Sequence, residues 1–446
     1  MTVAPDLSRE AFRGEARLLM LALGRRGVEV GHPAALDILS ESRGAADWNT
    51  MSAALKSREA ARPRGASAAA SAAPRDAGTP AFSDIESLLS LMRARNLDQV
   101  KIRPGCPVQG ARDGMWEFLC GAVPGGLVSL LLRQTWGENA PALVLGGNHV
   151  DCVHGTPGHP AERARVRADA ERGGAALRVD RFARTAPDPS DIGAAHLSGL
   201  FPSRGGGLNL FGGNDGSGRT TLMMALVGLH RMQDPAARIS DCSSPHEHLW
   251  DDDGTARPPV SHLMASALGV PGMLRLCARR KSSVAVLGDR LPAVEAAACA
   301  RDILETGMTV AATARGLDIP WILARIARTL PRSGESARGD ETARSTVRAL
   351  NAVTCQALLP AEGGGRVAAR SHLVFDDGLR SALADADPRD WAAIADAALE
   401  GKKQGPRGKS MRTAISELRE GRRISAAVFA QASEQVSAAE HARAGI

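Results

Sequence analysis

Tyrosine is absent from this chain, and all aromatic residues together make up 3% of it. Sequence-tolerant binding of single-stranded nucleic acid uses aromatic faces on which bases stack, so direct nucleic-acid binding of that kind is not expected. Lysine is nearly as scarce, with six residues in 446, so the net charge of +6 is carried by arginine. A mild basic excess permits contact with acidic partners but does not argue for them. The seven cysteines (Cys106, Cys120, Cys152, Cys242, Cys277, Cys299, Cys355) are odd in number, scattered and without a Cys-x-x-Cys pair. They read as small core residues of a reducing compartment. No apolar run approaches the roughly eighteen residues that a membrane helix needs. The N-terminal stretch, with Asp6, Glu10 and Arg13 ahead of a short apolar run, lacks the order of a signal peptide. The cytoplasm is the expected compartment. What remains is ordinary for a globular protein, 44% apolar and 23% charged, and long enough for about two to four domains.

Along the chain, residues 1–56 carry leucines at helical spacing (Leu18, Leu19, Leu21, Leu23, then Leu36 and Leu39) and predict a small helical module. Residues 57–82 are rich in Ala, Ser, Pro and Arg with little to bury, which predicts a disordered linker. Ser83 followed by Glu86 reads as a capping box opening a helix over Leu88–Met92. A strand at Val100–Ile102, a helix around Leu127–Leu132 and strands at Ala164–Ala168 and Leu177–Phe182 make 83–193 a small α/β domain. From 194 to 383, short β-branched runs at 284–288 and 308–313 alternate with helical patterns, which implies a parallel sheet. Residues 384–446 read as helical, broken by Lys, Gly and Pro at 401–409.

The most informative segment is Leu208-Asn-Leu-Phe-Gly-Gly-Asn-Asp-Gly-Ser-Gly-Arg-Thr-Thr-Leu. A buried strand, a glycine-rich turn and a helix start are the layout of a phosphate-binding P-loop, G-x-x-x-x-G-K-[ST], matched by Gly213, Gly218 and Thr220. Glycines let backbone N–H groups face an anion, and a helix beginning near Ser217 adds the positive end of its dipole. Asn214, Asp215, Gly216, Ser217 and Thr221 complete the candidate ATP or ADP site, with Thr220 holding Mg²⁺ through its hydroxyl and Arg219 meeting the terminal phosphates. The lysine of the motif is replaced by Arg219. A planar guanidinium does not reproduce the position of a compact ammonium.

Onward from this loop the blocks fall into an order that resembles the type II/IV secretion and pilus-retraction ATPase superfamily, in particular the conjugal-transfer branch of the TraJ/DotB type. Leu274 to Asp289 resembles the helix and Walker B strand, with Asp289 where the family has glutamate. Glu305 to Arg315 is similar to the segment carrying a Thr-Leu-His signature, and Gln356–Pro360 with Arg366–Asp376 to the strand pair that closes the domain. Ser410 to Ser425 is similar to the C-terminal helical tail, and Ala140–Gly147 with Arg163–Ala168 to a PAS-like N-terminal domain. The resemblance covers roughly 83–435. It implies a RecA-like P-loop domain preceded by the PAS-like α/β domain, ATP or ADP with Mg²⁺, and a homo- or hetero-oligomeric ring. Further implications are partners in a secretion or conjugation machinery, a place at the cytoplasmic face of an inner membrane, and Arg165 and Arg181 as arginines reaching nucleotide.

The departures from that pattern fall on the chemistry. Besides Arg219 and Asp289, Ser243 stands where the family has a glutamate two residues before the proline matched by Pro245, and Arg315 where it has histidine. Loss of a general base alone costs about 10²–10⁴ in rate, so hydrolysis is expected to be weak or lost, with Glu247 the remaining carboxylate candidate. Within residues 1–56, His32–Leu39 and Gly44–Met51, with its Asp-Trp-Asn-Thr, resemble the helical module of glyoxalase-related proteins. As physics, Asp47 caps a helix and Trp48 anchors a small core. His246, His248 and Asp251–Asp253 form a possible metal set, as do His149, Asp151 and His154, but solvated loops are the expected reading of both. The charges between Lys402 and Arg423 read as a solvated helix face.

Overall fold

The central strand of the larger sheet, β7 (Gly207–Gly213), is buried along its whole length. It is flanked on both sides by parallel strands, which requires a continuous apolar run rather than alternation. In the computed structural model, residues 31–42, 47–50, 52, 82–156, 158–171, 173–200, 206–250, 257–264, 268–288, 293–316, 318–400 and 408–444 are described. The expected helix over Leu18–Leu23, residues 57–81 of the expected 57–82 linker and Asp251–Asp253 lie outside them, while Phe82 at the end of that stretch is buried. The contacts divide the chain into two compact units, one of residues 1–152 and 166–180, the other of residues 153–165 and 181–446.

In the first unit, α1 (His32–Ser42) belongs to the N-terminal module. Asp47 caps the turn that follows, its Oδ1 accepting from the Thr50 amide at 2.6 Å, while Asp37 accepts from the amide of the half-buried Trp48 at 2.9 Å. Helix α2 (Ile85–Ala94) does have a capping box, but Asp84 is the cap and Ser87 its partner. Ser83 instead donates to Asp84 from outside the helix. Glu86 contributes only a favourable charge in the first turn.

Strands β1 (Gln99–Ile102), β2 (Pro107–Arg112) and β3 (Met115–Ala122) follow, then helices α3 (Gly125–Trp136) and α4 (Ala140–Leu145). With β4 (Val150–Thr156), β5 (His159–Glu171) and β6 (Gly174–Ala183) they form a sheet in the order β3-β2-β1-β6-β5-β4. The long strands β5 and β6 contribute to both units. Leu88, Met92, Val100, Ile102, Leu131 and Leu132 are fully buried. At about 25 cal/mol per Å² such side chains contribute roughly 1.5–3 kcal/mol each.

The second sheet runs β14-β13-β12-β7-β11-β10-β8-β9. Its members are β7, β8 (Ile239–Asp241), β9 (Ser261–His262), β10 (Val284–Gly288), β11 (Thr309–Arg315), β12 (Leu350–Pro360), β13 (Arg366–Val374) and β14 (Gly408–Lys409). From β12 across to β9 the pairings are parallel, and β13 alone runs against the rest, pairing antiparallel with both β12 and β14. Period-two alternation sends Leu208, Leu210, Ala285, Leu287 and Val310 to one face, and Phe211, Val284, Val286 and Ala311 to the other.

The second face is covered by α5 (Arg219–Gln233) through Leu222, Met223, Leu226 and Val227. The first is covered by α6 (Val270–Arg279), α7 (Ala293–Thr306), α8 (Ile319–Ala327) and α9 (Ala337–Ala349). Helices α10 (Asp377–Asp385), α11 (Trp391–Glu400), α12 (Met411–Glu420) and α13 (Ala426–Ala444) add Leu383, Trp391, Ile415 and Val436 to that same core. The C-terminal region is thus helical apart from β14 and packs with the P-loop sheet. No helix among the described residues is long and apolar enough to cross a membrane.

Four histidines of this unit give a pH dependence with a definite sign. Burial lowers the pKa of His154, His196, His230 and His248 below the ordinary 6.5, with Lys409 and Arg370 adding to the effect on His196. Below pH 6.5 the unfolded chain takes up protons that the folded chain refuses, so stability falls as pH drops toward the lowered values. The urea midpoint is therefore expected to be lower at pH 5.5 than at pH 7.5. A flat profile across that window would show that these rings charge freely in place.

Candidate phosphate-binding loop

Strand β7 ends at Gly213, and α5 starts at Arg219, two residues later than the sequence suggested. Gly218 is the N-cap in the left-handed region, φ 79° and ψ 23°. A Cβ there would sit 2.8 Å from Gln356 Nε2, and one at Gly213, φ 148°, would collide with the Ser217 side chain and the Gln356 carbonyl. Both positions need glycine.

Among the described residues, the loop's own backbone bond runs from the Ser217 amide to the Asn214 carbonyl, 3.1 Å. Among the described residues, the amides of Gly216, Gly218, Arg219, Thr220 and Thr221 have no protein acceptor. The Ser217 hydroxyl is buried without a partner. Unpaired donors converging at a helix start fit an anion. Thr220 and Thr221 are half-buried at the helix start, and Asn214, Asp215 and Gly216 are exposed. These groups suit a nucleotide phosphate, with Thr220 the residue that would hold Mg²⁺ beside it.

Arg219 does not face outward from this cup. Its buried guanidinium donates through Nη2 to Asp215 Oδ1 at 2.9 Å and through Nη1 to the Ala314 carbonyl, at the end of β11, at 3.1 Å. The other Asp215 oxygen lies 3.6 Å from Nη2 of the exposed Arg315. The loop thus carries its own counter-charge, an arrangement that the motif alone does not announce.

Beneath the loop, the structure adds two residues that sequence reading missed. Gln356 on β12 and Arg370 on β13 face each other in register. Gln356 Nε2 donates to the Ser217 carbonyl at 2.6 Å and Arg370 Nε to Gln356 Oε1 at 2.5 Å. Arg370 also donates to the carbonyls of Gly193 at 3.0 Å and Ile192 at 2.7 Å. Burial pulls its pKa down to about 10, which leaves it charged at neutral pH. They leave little signal in the sequence, since Thr354-Cys-Gln-Ala-Leu and Ala368-Ala-Arg-Ser-His each mix polar and apolar residues.

The remaining candidates gather after β8. Glu247, the carboxylate candidate, is ion-paired with Arg165, and both side chains are about one-fifth exposed at 19% and 18%. Neither is therefore a free base or a free arginine finger. Arg181 pairs with Glu162 at 3.0 Å. Ser243 is buried, and its amide and hydroxyl both donate to Asp241 Oδ1. Gly288, at φ 56°, ends β10 so close to it that a Cβ would lie 2.7 Å from the Ser243 Cβ. Asp289 lies outside the described residues. Of the His246, His248 and Asp251–Asp253 grouping, the aspartates lie outside the described residues, and His248 Nδ1 lies 3.0 Å from the Ala183 carbonyl. His246 instead joins Asp241 and His262.

Solved structures similar to this one share its arrangement. The ATPase DotB of Legionella pneumophila superposes with a TM-score of 0.64 at 20% identity, covering 79% of this chain and 96% of its own. The pilus retraction motor PilT with bound ADP gives 0.61 at 19% identity, covering 78% and 96%. DotB of Yersinia pseudotuberculosis gives 0.63 at 16% identity, covering 78% and 92%. The fold is that of the secretion and pilus-retraction ATPases. This ATPase fold places the Gly213–Thr220 loop between a parallel strand and a helix, in keeping with the expected RecA-like domain. Residues 2–72 match a family model described as glyoxalase superfamily protein. No curated protein matches the chain.

Proposed function

We propose that this protein binds ATP or ADP with Mg²⁺ in the Gly213–Thr221 loop and hydrolyses it slowly or not at all, serving assembly or regulation in a secretion or conjugation machinery. The observation that carries the reading is the contrast within one site. Five loop amides and the Ser217 hydroxyl have no protein partner among the described residues, while the groups for cleavage are otherwise engaged. Arg219 is tied to Asp215 and Ala314, Glu247 to Arg165, and a serine hydroxyl bound to Asp241 occupies the position where the resembling family carries glutamate. Phosphate recognition by backbone donors survives such changes, whereas stabilising the charge that develops in transfer does not, at several kcal/mol per misplaced group. PilT was solved with ADP bound, which supports the choice of nucleotide. Ring formation, with copies of itself or an active homologue, and a position at the cytoplasmic face of the membrane belong to the same reading.

Calorimetry with ADP and ATP, paired with phosphate release in Mg²⁺, tests it on the full-length chain. Binding in the micromolar to millimolar range with turnover at background is the expected result. Sustained release well above a no-enzyme control would overturn the loss of hydrolysis, and absence of binding would reduce the loop to a structural turn.

A further inference from the structure

We propose that Asp241, His246 and His262 bind one divalent transition-metal ion of the zinc class, at the end of β8. The three residues offer one ligand atom each, and those atoms lie within 4.8 Å of one another. Asp241 Oδ2 is 3.2 Å from His262 Nδ1 and 3.9 Å from His246 Nε2. Ligands of a tetrahedral zinc, at about 2.0 Å from the ion, stand about 3.3 Å apart. The set therefore needs only small side-chain rotations to close on a cation.

The fold holds the donors in place. Asp241 and His262 are direct neighbours in the parallel pairing of β8 with β9. Ser243 occupies Asp241 Oδ1 with both its amide and its hydroxyl, which aims Oδ2 at the two imidazoles. The His262 ring stacks on Trp250, centroids 6.2 Å apart and 20° between planes. Arg163 grips the backbone carbonyls of His246 and Glu247. Second contacts of this kind orient ligands. The Asp241 side chain is fully buried, so its charge needs a cation or donors nearby.

Donor chemistry sets the class. Two imidazoles and one carboxylate suit zinc, cobalt or nickel better than calcium or magnesium, which take oxygen ligands, and no thiolate is present to favour copper(I). Without metal, the same atoms form a hydrogen-bonded cluster, His262 Nδ1 against Oδ2 and His246 Nε2 within 3.2 Å of the Asp241 carbonyl. On binding, each neutral imidazole moves its proton to the other ring nitrogen, and acid competes with the ion by forming imidazolium, so binding weakens in acid. Arg163, which feels the charge of Asp241, is the opposing cation nearby. Three protein donors leave one position for water or an exogenous ligand.

The test uses the full chain stripped by chelator and dialysed. Zinc is titrated against a chromophoric chelator, and bound metal is counted by plasma mass spectrometry. One equivalent is expected for the wild type, with His246→Gln and His262→Gln each binding at least tenfold more weakly. His159→Gln, at an exposed histidine outside the cluster, should match wild type. No bound zinc in the wild type, or undiminished affinity in both cluster variants, overturns the proposal. Cobalt(II) on the wild type gives a second readout that does not depend on variants folding. Visible bands without thiolate charge transfer are expected, and a strong near-ultraviolet thiolate band would move the site to cysteine and sink the assignment.

Discussion

Replacing Arg370 with methionine should lower stability by about 2–4 kcal/mol and abolish measurable nucleotide binding. Arg370 is 6% exposed and donates to Gln356 Oε1 and to the carbonyls of Ile192 and Gly193. Its loss costs about 1–3 kcal/mol at the buried Gln356 Oε1 and roughly half as much at each of the Ile192 and Gly193 carbonyls, which water can reach in part. Methionine returns part of this as apolar contact, hence the lower half of the sum. For a domain of this size the melting point should fall by roughly 4–16 °C. Gln356→Leu should cost less, about 1.5–3 kcal/mol, because the Ser217 carbonyl loses its donor and Arg370 one acceptor of three. Thermal melts and ADP calorimetry on both variants decide the matter. Unchanged ADP affinity in a folded Gln356→Leu protein would show that the loop holds its shape without this floor.

Asp215→Ala is expected to act in the opposite sense and tighten ADP binding about tenfold. The Asp215 carboxylate belongs to the loop itself, holds Arg219 at 2.9 Å and is 69% exposed. An anion about 6 Å from a bound phosphate opposes it by nearly 3 kcal/mol at an effective dielectric of about 20. Exposure and salt screen that to roughly 1.4 kcal/mol, which is a factor of about ten in affinity. The substitution also releases the Arg219 guanidinium toward the ligand. Calorimetry with ADP and Mg²⁺ on Asp215→Ala and on Asp215→Ala/Arg219→Ala separates the two contributions. An affinity equal to or weaker than wild type in the single variant would mean that Asp215 is not a competitor of phosphate.

The strand–loop–helix of the P-loop was legible because each part has a local cause. An all-apolar strand, glycines at positions that admit only positive φ, and an apolar helix face are written in consecutive residues. The parallel sheet followed from strand–helix alternation, and α2 was found with its cap misassigned by one residue, since both Ser83 and Asp84 are good caps. What the sequence withheld is what long-range packing decides. Gln356 lies 139 positions from the Ser217 carbonyl it supports, and Arg370 178 from Ile192. The pairing of Arg165 with Glu247 spans 82 positions. No periodicity reports such contacts. The histidine neighbourhood was half legible, since His246 stood out by type, while His262 joins it only through the pairing of β9 with β8.

The rung from Ile192 and Gly193 through Arg370 and Gln356 to Ser217 has a mechanical consequence. The stretch that follows β6 is joined to the Ser217 carbonyl by two side chains, Arg370 and Gln356. If the loop holds phosphate as proposed, the position of residues 192–193 and the occupancy of the loop each constrain the other.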